Sequence, residues 1–114
     1  MSAFTDASLL IQTSTGTVRG AHDGQTHRWR GIPYAADPIG DLRLRSPQPH
    51  PAWDGVRDAL EFGNVAPQEA TKLIPIPTGI SIAEDCLSLN IWAPVRENGD
   101  TRARPVMVWI HGGA

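Results

Sequence analysis

The chain carries one cysteine in 114 residues, so no disulfide can close within it, and the cysteine count gives no argument for secretion. Its amino terminus, Met1-Ser2-Ala3-Phe4-Thr5-Asp6, lacks the basic segment and apolar core of a signal peptide, and a cytoplasmic location is the expectation. The apolar run Val106 to Ile110 is far shorter than the about 20 residues of a membrane-spanning helix. Lysine and arginine form no cluster and the formal net charge is −2. That balance gives no field for nucleic acid or an acidic membrane surface, so neither is expected as a partner. Long helices are disfavoured as well, because glycine and proline together supply 11 + 10 residues. A hydrophobic content of 40% is ordinary for a globular domain, and a chain of this length can bury roughly 65% of its unfolded surface.

What is there is organised around the carboxyl end. Val106-Met107-Val108-Trp109-Ile110 has no polar face, which fits a strand buried on both sides in a parallel sheet. It runs into His111-Gly112-Gly113-Ala114. Glycines there let the backbone turn sharply and approach a ligand, and the amides freed by the turn can face a developing negative charge. The same residues also suit an ordinary strand-ending turn, and spacing alone does not choose between the two.

Upstream, Leu9 to Thr13 and Thr17 to Ala21 read as short strands joined by the Ser14-Thr15-Gly16 turn. Asp23-Gly24 signals a tight hairpin into a third strand, Gln25 to Arg30, giving an antiparallel meander that Pro33 stops. His22 and His27 flank the hairpin with no third ligand nearby, so no metal is expected. Pro33, Pro38, Pro47, Pro49 and Pro51 forbid a regular helix and predict an extended wrap, in which Arg43 and Arg45 would share a face. Trp53 to Gly63 is ambiguous between strand and short helix. Gly79-Ile80-Ser81-Ile82-Ala83 approaches the glycine–serine–glycine elbow of a nucleophile, but a proline-rich loop precedes Ser81 where a buried strand is required, so Ser81 reads as a decoy. Leu87 to Trp92 alternates as a strand, and Asn98-Gly99 suggests a turn that would bring Val106 to Ile110 back as its antiparallel neighbour.

Glu84-Asp85-Cys86-Leu87-Ser88-Leu89-Asn90-Ile91-Trp92-Ala93-Pro94 resembles the second signature of the type-B carboxylesterases, the family that includes the cholinesterases. Arg30 to Ala35, Pro38 to Leu44, Trp53 to Ala59 and Pro105 to Ala114 resemble the same family in the same order. Five ordered segments are far more specific than any one of them.

The resemblance implies an α/β fold: the N-terminal part of an α/β-hydrolase, with the antiparallel meander leading into the central mixed sheet. Residues 1–114 would form the N-terminal portion of a single such domain. It implies hydrolysis of a small-molecule carboxylic ester through a Ser-His-Glu (or Asp) triad, with no cofactor and no metal. By position, the amides of Gly113 and Ala114 correspond to oxyanion donors, Gly112 to the turn glycine, and His111 to a residue of the pocket floor rather than the general base. Many family members have a glycine where Ala114 stands. Glu84 and Arg43 match a pair that is structural in the family; were it buried, breaking it would cost on the order of 3–5 kcal/mol. Cys86 matches a cysteine bridged in secreted members to a position that here holds Ala66. Nucleophile, acid and base are all expected downstream, so the 114 residues alone are expected to be inactive. The rival reading is part of a cholinesterase-like adhesion protein that lacks a working triad.

Overall fold

The computed structural model describes residues 6–113. A single 3-10 turn, Ala7–Leu9, opens it; Asp6 caps the turn by accepting a hydrogen bond from the Ser8 amide at 2.9 Å. Six strands follow: β1 (Leu10–Gln12), β2 (Thr17–Arg19), β3 (Ala21–Asp23), β4 (Thr26–Pro33), β5 (Val56–Asp58) and β6 (Ser88–Pro94). They form two three-stranded sheets, β1-β2-β5 and β3-β4-β6. In the first, β1 is antiparallel and β5 parallel to β2; the second is antiparallel throughout.

The expected second strand, Thr17 to Ala21, is therefore two strands in different sheets, and the meander is split between them. Gly20 marks the change. A Cβ there would lie 2.5 Å from both the Arg28 carbonyl oxygen and the Trp29 Nε1. The backbone passes directly beneath the indole, where only glycine fits, and moves from one sheet to the other. The hairpin also differs by one residue: Asp23 pairs with Thr26, leaving Gly24-Gln25 as the loop, with the positive φ (58°) on Gly24.

The core lies where the sheets meet. Val18, Trp29 and Ala59 are buried together, with Ile32, Trp53 and Ala93 packed around them. Both indoles keep their N–H satisfied, Trp29 donating to the Leu9 carbonyl and Trp53 to the Thr17 carbonyl, each at 3.0 Å. Between Trp29 and Ile32, β4 advances three residues while β6 advances two, from Ile91 to Leu89, so β4 carries a bulge. Gly31 (φ 70°) absorbs it and donates its amide to Asn90 Oδ1 at 3.0 Å. The Arg30 guanidinium leans over the Phe62 ring and donates to the Leu60 carbonyl.

The ambiguity over Trp53 to Gly63 resolves in favour of a strand, because β5 finds a ladder on β2 and Ala59 continues it by donating to the Arg19 carbonyl. The proline-rich segment holds one 3-10 turn, Gly40–Leu42. Leu44 beyond it has φ 57°, a left-handed conformation, so Arg43 and Arg45 are not on one extended face as expected. Ser81 lies beside an isolated parallel bridge, Val65↔Ile82, with no helix after it, so the elbow geometry is missing.

The largest departure is at the carboxyl end. Val106 to Ile110 belongs to no strand and is not the antiparallel neighbour of β6; its side chains are 78–91% exposed. An apolar run becomes a strand only where neighbours complete its ladder, and none among the described residues does so. No helix of the described residues is long and apolar enough to cross a membrane.

Gly20→Ala is expected to destabilise the chain by about 1–3 kcal/mol, the range for overpacking a filled site, read as a lower urea midpoint. Ala at Gly113, where nothing lies within 4 Å of an added Cβ, serves as the neutral control.

Candidate functional site

The approach to the terminal glycines is fixed by one carboxylate. Asp100 Oδ1 accepts from the Arg102 amide and Nε at 3.1 and 3.0 Å, and Oδ2 accepts from Arg104 Nη2 at 3.2 Å. These bonds to Arg102, with Arg104 beside them, hold its carboxyl down at a pKa of about 2. Arg104 also donates to the Pro94 carbonyl at 2.8 Å, fastening the turn to the last residue of β6. Past this clasp the apolar run stands clear of the sheets.

His111, Gly112 and Gly113 are exposed, and the His111 Nδ1 lies 3.0 Å from the Gly112 carbonyl. Neither glycine has a positive φ, so conformational necessity does not explain them, and the space around both is open. Ala114 lies outside the described residues. The structure thus places His111, Gly112 and Gly113 together only as chain neighbours, with no nucleophile beside them among the described residues.

Arg43 and Glu84 do meet, Nη1 against Oε1, but at the surface, with side chains 57% and 42% exposed. The large cost set out above for a buried pair therefore does not apply. Next to it is a group with no sequence signal. The hydrogen bond to the Asp37 side chain raises the Asp85 carboxyl above the ordinary aspartate value of 3.8; burial and the Asp37 charge add to the rise, and Arg57 and His50 oppose it. Asp85 also lines a small cavity of about 110 Å³ with Arg57, Asn64 and Ser88. Cys86 is free and half-buried, and burial together with Glu84 and Asp85 pushes its thiol up, which makes it a poor nucleophile. His22 and His27 face one another across β3 and β4 with ring centroids 5.4 Å apart. Among the described residues, no three His, Cys, Asp or Glu side chains form a metal-binding group.

Comparison with solved structures identifies the fold as that of the α/β-hydrolase esterases. A structure titled PNB esterase superposes with a TM-score of 0.81 at 40% identity, over 91% of this chain and 21% of that one. The chain belongs to the carboxylesterase family, whose sequence profile matches residues 7–114. Among its relatives are the phenmedipham hydrolase of Pseudarthrobacter oxydans, 42% identical over 91% of this chain and 21% of the relative, and the para-nitrobenzyl esterase of Bacillus subtilis, 41% identical over 92% and 21%. The chain thus spans about a fifth of the length of these relatives.

Two outcomes are expected from the carboxylates. Glu84→Gln should cost no more than about 1 kcal/mol in urea denaturation, as for other exposed pairs. Asp85 keeps its proton to higher pH in the folded chain than in the unfolded one, so the folded state binds more protons above pH 3.8, and this group lowers stability as pH rises from there through its raised value. Asp85→Asn should remove that fall, seen as a smaller loss of the urea midpoint between about pH 4 and pH 7 than in the parent chain.

Proposed function

We propose that this chain is the N-terminal portion of a single-domain serine carboxylic-ester hydrolase and supplies its oxyanion donors. The observation that carries the reading is the family match, which runs unbroken from residue 7 through the glycine pair to residue 114. In an ester hydrolysis the nucleophile attacks the carbonyl carbon and the carbonyl oxygen takes up the negative charge. Amides of Gly113 and Ala114, aimed at that oxygen, would stabilise the charge as it forms, and a backbone donor tolerates the methyl of Ala114. His111 would floor the pocket. The serine nucleophile, its histidine and its acid are supplied by chain beyond these residues. The substrate class is a small carboxylic ester, and the names of the relatives make para-nitrobenzyl esters the first to test. A cytoplasmic location goes with this reading; its support is the single cysteine, with Ala66 where secreted members have its partner.

Gly113→Pro removes one amide donor, and the proline ring also fixes φ at about −65°. In the complete enzyme it is expected to lower kcat on a para-nitrobenzyl ester by about 10²–10³-fold, with KM little changed. The 114 residues alone should show no turnover above buffer. Full activity of the proline variant, or esterase activity of the short chain that survives purification, would overturn the proposal.

A further inference from the structure

One buried titratable side chain plays no part in that reaction. His27 on β4 is buried, with its side chain 9% exposed, and its Nε2 has no hydrogen-bond partner among the described residues. Leaving a buried polar atom unpaired costs about 1–3 kcal/mol, so its position calls for an explanation. The nitrogen points toward Asp6: Oδ2 of that carboxylate lies 3.9 Å away, too far for a hydrogen bond but within ion-pair range. The other oxygen, Oδ1, is engaged by the amide and hydroxyl of Ser8 as the cap of the first turn. That capping, first the Ser8 hydroxyl and then its amide, holds the Asp6 carboxyl below its ordinary value, so it stays ionised where histidine titrates.

The remaining surroundings of His27 are simple. His22 on β3 meets it edge-on, and the Trp29 ring lies 6.0 Å away. Across β6 the facing residues are Trp92, Ala93 and Pro94, none charged. The Arg28–Asp23 ion pair belongs to the next position along β4, whose side chain points to the opposite face.

We propose that Asp6 and His27 form a proton-operated clasp, in which protonation of the buried imidazole draws the carboxylate in and fastens the segment Asp6–Gln12 onto the second sheet. The segment is otherwise held there by the Leu9 carbonyl, which accepts from Trp29 Nε1 and from the Gly20 amide. Because β1 belongs to the first sheet, closing the clasp adds one more tie between the two sheets at acid pH and removes it as pH rises, the shared core remaining in place.

Hydrogen exchange read by mass spectrometry on the full chain, corrected for the intrinsic pH dependence of exchange, tests this. Protection of the peptide covering residues 6–12 is expected to rise roughly two- to fivefold from about pH 8 to about pH 5, the range of an ion pair with one exposed partner. Asp6→Asn keeps the cap, since asparagine caps as well as aspartate, and removes only the charge. It should abolish the rise, whereas His22→Gln should leave it intact. A rise of equal size in Asp6→Asn, its loss in His22→Gln, or flat or falling protection in the parent chain would each overturn the clasp.

Discussion

The arrangement depends on one steric constraint, the passage of the backbone at Gly20 beneath the Trp29 indole. Two residues before it Val18 enters the core of the first sheet, and one residue after it the chain is already paired in the second. A single tryptophan therefore roofs the crossing, packs on Val18 and Ala59, and holds the N-terminal turn through its N–H. With three buried apolar side chains in the central cluster, there is little redundancy around it. The Arg30 bulge follows directly: once Trp29 points inward over the crossing, the extra residue on β4 turns Arg30 toward the Leu60 carbonyl and Phe62, which anchors the chain leaving β5.

Away from that centre the faces are open. Leu89, Ile91 and Trp92 on β6 remain 38–54% exposed and β6 is an outer strand of its sheet. The apolar run Val106 to Ile110 is more exposed still. These are surfaces with the composition of an interior. Their exposure is consistent with a chain that corresponds to about a fifth of the length of the esterases it resembles.

How much of this was legible depended on whether the signal was local. Alternation marked β6, Asp23-Gly24 marked the hairpin into β4, and Pro33 marked a strand end, because each acts on its own backbone. The split at Gly20 was not legible, since it is imposed by an indole nine residues away. Nor was β5, which became a strand only because β2 offers a parallel edge. The buried-strand reading of Val106 to Ile110 rested on apolar composition alone, and the run is exposed and unpaired among the described residues, because a strand also needs neighbours and composition does not supply them. For the site, Arg43 meeting Glu84 came from the resemblance and not from spacing. The Asp37–Asp85 and Asp6–His27 pairs join residues 48 and 21 positions apart and had no sequence signal beyond the Asp-x-Ser cap at Asp6.

The two ends of the chain use carboxylates in the same manner. Asp6 organises the first turn and Asp100 the last, each by accepting bonds from the backbone a few residues on. At the carboxyl end that turn, clamped through Arg104 to the end of β6, fixes where the apolar run begins, while the run itself is unpaired among the described residues. On the proposed function this division matters. Oxyanion stabilisation requires amides held still before the charge appears, because donors that must reorganise give back much of what they contribute. Side chains at His111 to Ala114 cannot provide that rigidity; it has to come from a strand locked on both edges just before them. The exposed run is tethered at its start through Asp100 and Arg104 and is paired along neither edge among the described residues. On that proposal a backbone site of this kind depends on the pairing of the run that precedes it more than on the glycines themselves, because an amide donor is only as still as the backbone that carries it.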